Sequence, residues 1–142
     1  MSNSRFKFRA WHIENNEMIY FDNLKASKDQ YISSAMVFLM SGEDDSGHMM
    51  QWTGLTDKNG VDIYESDVCK SVSELIRPFA GRHKENTGRY STKYHVIEYR
   101  NESASFCIVG SALSSISQST ATEYYEVIGN IHQNPELLTN EH

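Results

Sequence analysis

This chain is short of the residues and spacings that usually announce an enzyme. Cys69 and Cys107 are the only cysteines in 142 residues, and they have no C-x-x-C partner spacing. A disulfide framework is not expected; a reduced, cytoplasmic setting fits, with both thiols buried as small hydrophobes. Cys69 precedes Lys70, which could lower its pKa, but it follows Val68 in an apparent strand where a buried thiol is the better reading. The six histidines, His12, His48, His83, His95, His132 and His142, are scattered without H-x-H or HExxH spacing. No metal or other cofactor is therefore expected. There is no G-x-S-x-G elbow, no G-x-x-x-x-G-K loop and no G-x-G-x-x-G loop, so serine-nucleophile and nucleotide chemistry have no support. Serines are plentiful, yet no histidine is placed beside one.

Long apolar runs are also lacking. The longest, Ala35-Met36-Val37-Phe38-Leu39-Met40, falls far below the roughly 20 residues needed to cross a bilayer. No basic-then-apolar leader precedes it, so neither secretion nor membrane insertion is expected. Hydrophobic content of 39% and charged content of 23% describe an ordinary globular chain with length for one domain. Acidic balance is present instead: the net charge is −6, which argues against a whole-surface nucleic-acid binder. The charge is polarised, however. Arg77, Arg82, Lys84, Arg89 and Lys93 crowd one segment whose only acid is Glu85, while Glu43, Asp44 and Asp45 cluster elsewhere.

The pattern along the chain is that of short strands and turns. Phe6, Phe8 and Ala10 alternate with Lys7, Arg9 and Trp11, a half-buried strand that returns after a turn through Met18, Ile19, Tyr20 and Phe21. Asn59-Gly60 predicts a type I′ hairpin before Val61, Ile63 and Tyr64. Residues 94–99 and 106–109 read as a further pair, and residues 124–128 as a last strand. Residues 31–40 fit a strand or a helix, with the strand preferred. Residues 111–122 read as loop.

Two helical pieces are expected. Ser71 and Glu74 form a capping box ahead of Val72, Leu75, Ile76 and Phe79 at helical spacing, predicting a short helix near 72–78. Residues 81–92 then become a basic loop or arm. Asn134 followed by Pro135 predicts a C-terminal helical turn. The fold class is mainly β: a small barrel or sandwich, with some SH3-like character.

Three phrases carry a family resemblance: Phe6-Lys7-Phe8-Arg9-Ala10-Trp11, the stretch Gln51-Trp52-Thr53-Gly54-Leu55-Thr56-Asp57 through Asn59-Gly60 to Ile63-Tyr64-Glu65-Ser66-Asp67, and Gly129-Asn130-Ile131 with Asn134-Pro135-Glu136-Leu137-Leu138. In this order they resemble the YopX family of bacteriophage and prophage proteins of Gram-positive bacteria. Trp52 replaces the usual Tyr, His12 stands where Asp is common, and Ser66 sits where Gly is usual. Ser66 matters most, since a positive φ there is costly without glycine. The resemblance implies a mainly β fold and a phage accessory protein, regulatory or counter-defence in role. It brings no established activity, and no catalytic residue is carried over from it.

Candidate surfaces follow. Arg82, Lys84, Arg89 and Lys93, with Tyr90 and Tyr94 interleaved, combine cations and stacking rings, as a single-strand nucleic-acid binder does. The bland alternative is a solvated loop. Arg5, Lys7, Arg9 and Trp11 form a second basic face, or else an edge strand guarded by charge. Trp11, Trp52 and Tyr64 are core or subunit-contact positions, or a protein-binding patch if exposed. Asp62, Glu65 and Asp67 gather acids around one strand; the favoured reading is that Asp67 accepts backbone N–H groups in a turn. Expected partners are a second copy of the chain and a host or phage protein, with nucleic acid as the alternative.

Overall fold

A computed structural model describes residues 7–21, 47–78, 84–109 and 116–139. The ambiguous segment 31–40, the acidic cluster at 43–45, Arg5 and Arg82 lie outside the described residues.

The opening alternation forms a hairpin, β1 (Phe8–His12) and β2 (Glu17–Phe21), closed by a turn at 13–16 in which Asn16 takes a φ of +54°. β3 (Gly47–Thr56) pairs antiparallel with the other side of β1, and β4 (Asp62–Tyr64) with β3, giving the order β2-β1-β3-β4. β1 is therefore interior, which corrects its reading as an edge strand. One face of this sheet buries Ala10 and Phe21 among Phe8, Ile19 and Met49. Its other face carries Arg9 in register with Tyr20 on one side and Met50 on the other.

The Asn59-Gly60 turn exists in a different form from the one expected. Gly60 has a φ of +78°, but Asn59 is not among the left-handed residues, so the turn is not type I′. Gly60 N–H donates to Asp57 O at 3.0 Å, and Asp57 N–H to Val61 O at 2.8 Å. This is the three-residue loop in which a single αL glycine closes a hairpin. Asp57 explains the choice, because its carboxylate holds the Asn59 and Val61 amides and fixes the wider loop.

The second sheet has the order β7-β6-β5-β8, from β5 (Asp67–Pro78), β6 (Lys84–Arg100), β7 (Ser105–Ile108) and β8 (Tyr125–Asn130). β5 overturns the helix expected near 72–78. Across the sheet lies the stronger partner: ten residues of β5 are in register with β6. Ser71, expected to cap the helix, instead bonds His95 Nε2 across the strands at 2.7 Å. Tertiary pairing overrides a local periodicity of only seven residues. The basic stretch expected as a loop is accordingly strand from Lys84 onward.

A helix does form where a loop was expected. α1 (Gln118–Tyr124) is capped by Ser117, whose hydroxyl accepts from Thr120 N–H at 3.3 Å, and it buries Ala121. Small size at Ala121 lets the helix sit close over the sheet, where it joins Ile63, Cys69, Ile97 and Tyr125 in the main core. The predicted final turn is a 3-10 turn at Pro135–Leu138 with proline in its first turn. The architecture is mainly β, as two antiparallel sheets.

Candidate functional site: a buried seam and a projecting ribbon

Where the two sheets meet, each of the three sequence phrases contributes a polar side chain. Arg9 on β1 donates from Nη2 to Asp67 Oδ1 at the start of β5, and both side chains are nearly fully buried. Asp67 Oδ2 accepts Tyr64 N–H at 2.8 Å, as expected for a carboxylate closing the turn before Val68. Asn130, ending β8, donates to Asp67 Oδ1 at 3.5 Å and to Met50 Sδ at 3.2 Å. The Arg9 guanidinium lies 4.4 Å from the Tyr64 ring centroid, while its buried Nε–H has no hydrogen-bond partner among the described residues. Burial pushes the Asp67 carboxyl above the usual range, against the pull of Arg9, Tyr64 N–H and Asn130. The seam holds two charges at a high desolvation cost.

Asp57 makes a second link. Its Oδ1 accepts from Asn59 N–H at 2.8 Å and Val61 N–H at 2.9 Å, and its Oδ2 from Val127 N–H in the other sheet at 2.9 Å. Between these links Ser66 takes the left-handed conformation anticipated for its position, with φ +69°. Its N–H donates to Ile97 O at 2.7 Å and its carbonyl accepts from Ile131 N–H at 3.0 Å, so the strained residue is held on both sides. Gly129 admits a close approach: a Cβ there would lie 2.6 Å from Asn134 Oδ1 and 2.7 Å from Leu137 Cδ1, so both side chains would have to shift.

His48 and His132 also meet across the sheets, stacked at 4.1 Å between centroids. Burial, then the charges of His48 and Arg9, lower His132 to about 4. An open cleft of about 380 Å³ lies over the seam, lined by Arg9, Tyr20, Asp62, Tyr64, Asp67 and Asn130 among others. Asp62 pairs with Lys7 at 3.0 Å.

This geometry reassigns several candidates. Arg9 and Trp11 are each only 6% exposed, and Lys7 reaches over the Trp52 ring at 4.4 Å to pair with Asp62. Among the described residues, the first-strand face therefore offers no open track of cations, because Lys7 and Arg9 are paired inside the molecule. Tyr64 and Trp11 are core, and Trp52 is half-buried with its indole N–H on Leu55 O at 3.2 Å. Among the described residues no cluster of three or more ligating side chains could hold a metal.

The Ser71–His95 hydrogen bond was invisible to local sequence, because the partners are 24 residues apart. Burial, then Lys93, lowers the His95 pKa, and its ring packs edge-on to Tyr125 at 5.2 Å. The pair lies diagonally across the β5–β6 ladder, in the rungs Ser71–Lys93 and Cys69–His95. Cys69 is fully buried, and burial followed by the charges of Asp67 and Asp57 pushes its thiol up to about 12. A thiol so held is no nucleophile.

The other distinctive feature is the outer half of the β5–β6 hairpin. β8 pairs with β5 only over 67–71, and β7 with β6 only over 97–100. Beyond these, among the described residues, β5 and β6 form a ribbon of two strands. It carries a bulge in which residues 87–89 face the single position 75, with Gly88 at φ +64°. Tyr90 and Tyr94 lie on one face by the two-residue period, and Val72 opposite Thr92 shares it. They are 66%, 41% and 43% exposed. Arg89 and Lys93 are exposed nearby. Lys84 occupies the last rung, opposite Pro78.

Comparison with known proteins agrees with the three phrases. A family model, YopX protein, matches residues 7–139. The chain belongs to the YopX family. Among solved structures, the crystal structure of a protein from Enterococcus faecalis is similar, at 28% identity and a TM-score of 0.58, covering 94% of this chain and 97% of that one. No curated protein matches. Among the described residues of this YopX-family chain, no helix is long and apolar enough to cross a membrane.

Proposed function

We propose that this YopX-family chain is a non-catalytic binding protein. In this reading it is a phage accessory protein of the host cytoplasm, regulatory or counter-defence in role, that self-associates and contacts a host or phage protein. The observation that carries the reading is the ribbon. Two strands alone are marginal in water, and this ribbon presents Val72, Tyr90 and Tyr94 on one face. Exposed aromatic and aliphatic residues gathered on a projecting element mark a contact surface. The buried thiol of Cys69 and the internally paired Arg9 and Asp67 support a scaffold role for the rest of the molecule.

The test is capture from infected host cells with the intact chain and with a Tyr90→Ser/Tyr94→Ser variant. Specific partners recovered with the former and lost with the latter support the reading. Identical recovery with both removes it.

Nucleic-acid binding is the second reading, favoured by the interleaving of Arg89, Tyr90, Lys93 and Tyr94 on β6. It requires binding to single strands that weakens steeply with salt and drops when Arg82, Lys84, Arg89 and Lys93 are neutralised. Insensitivity to those changes rejects it.

A further inference from the structure

We infer that the ribbon docks on the acidic body of a second copy of this chain, ribbon to body rather than ribbon to ribbon. The inference rests on the ribbon being a contact surface, and it names the partner.

Length and exposure come first. Residues 72–78 of β5 extend past the last rung shared with β8. At roughly 3.3 Å per residue they reach about 23 Å beyond the sheet. Among the described residues, such a ribbon has two unpaired edges along with the apolar face of Val72, Tyr90 and Tyr94. Both features are relieved by a surface that lies along it.

Charge then selects the surface. Residues 77–93 hold five cations and one acid, a surplus of four positive charges; since the whole chain carries −6, the remainder carries −10. Two ribbons laid together would bring two positive surpluses into contact, which is unfavourable at short range. A ribbon laid on a body pairs opposite signs. Exposed acids are available on the body at Glu14 and Glu17 of the first hairpin, Glu102 after β6, and Glu123 on α1. A ribbon-to-body contact closes either by reciprocal exchange between two copies or head to tail around a ring. Both use the same contact.

The sign of the salt dependence separates the arrangements. Attraction between opposite charges weakens as salt rises, whereas contact between like charges strengthens. The experiment is sedimentation velocity on the intact chain at roughly 0.1 M and 1 M salt, with Arg89→Glu/Lys93→Glu and Tyr90→Ser/Tyr94→Ser variants. Circular dichroism melts establish that each variant is folded. The expected result is a defined oligomer that loosens with salt, and about tenfold or more weaker association in either folded variant.

A chain that stays monomeric to high concentration overturns the inference, as does association that tightens with salt. A monomer that still captures a host protein through Tyr90 and Tyr94 overturns it while leaving the contact-surface reading intact. A monomer that forms a salt-sensitive complex with single-stranded DNA overturns it in favour of nucleic acid. If the Tyr90→Ser/Tyr94→Ser variant behaves as the unmodified chain in both capture and sedimentation, the reading and the inference fail together.

Discussion

The seam and the ribbon use charge in opposite ways. In the seam, Arg9, Asp67, Asp57 and Lys7 have partners inside the molecule, and the first three of these residues are almost without solvent. On the ribbon, Lys93 is exposed beside Tyr90 and Tyr94, themselves 66% and 41% exposed. The seam's polar groups hold two sheets in one arrangement, and changes there act on folding. The ribbon's exposed groups are expected to matter less to folding, so that changes there would act on what the proposed contact surface touches.

Breaking the seam gives the largest effects. Asp67→Ala leaves the Arg9 guanidinium buried without its carboxylate and is expected to cost about 3–5 kcal/mol in urea unfolding. Replacing both partners, Arg9→Met with Asp67→Leu, is expected to recover part of that loss, because no unpaired charge remains although the Tyr64 N–H still lacks its acceptor. Asp57→Ala strands three backbone N–H groups, in the 57–61 turn and on Val127. A loss of about 2–3 kcal/mol is expected, at the level of hydrogen bonds to a charged acceptor.

Acid provides a third probe of the same seam. Burial and the nearby charges of His48 and Arg9 bring the His132 pKa down to about 4 in the folded chain, from the ordinary imidazole value of 6.5. Its contribution is therefore fully present above pH 6.5 and is lost as pH falls towards 4. His132→Phe is expected to flatten that decline in melts followed across this window. Asp67, raised by burial, contributes the opposite slope, since proton uptake relieves its desolvation.

Two smaller changes sharpen the contrast. Ser66→Gly removes a left-handed serine from the seam at φ +69° and is expected to stabilise by about 0.5 kcal/mol, strain relief exceeding the entropy that glycine adds to the unfolded chain. On the ribbon, Val72→Thr is expected to shift stability by less than about 0.5 kcal/mol. A large loss from this last change would mean that the ribbon is part of the core, contrary to its exposure.

Much of the β framework was legible because its signals are local. Alternation from Phe8 to Trp11, the Gly60 reversal and Pro135 in a first turn each depend on neighbours in sequence, whereas the special conformation at Ser66 was implied by the family resemblance. The errors share a different cause. Ser71 looked like a helix cap because its true partner, His95, comes from the next strand. Ser117 caps the real helix, but Ser/Thr-rich surroundings hid the signal, and the one buried position is a small alanine. The seam itself was half visible. Asp67 was expected to hold backbone amides, and it does so with Tyr64, but Arg9 and Asn130 were missing from that expectation. Arg9 alternating with Phe8 and Ala10 looked solvent-facing, since alternation distinguishes two faces without saying that both are covered. A polar residue in each of three phrases, one basic, one acidic and one amide, was the available clue.

The seam has a consequence for the order of assembly. Apart from the turn bonds made by Asp57 and Asp67, its bonds join residues 58, 63, 70 and 80 positions apart, so those cannot form from a short stretch of nascent chain. Loops of that span close late and slowly. During synthesis the early hairpin must hold a charged guanidinium in readiness until Asp67 emerges, and a product cut before Val127 would keep that one tie while lacking the bonds between Asp57 and Val127 and between Asn130 and Met50.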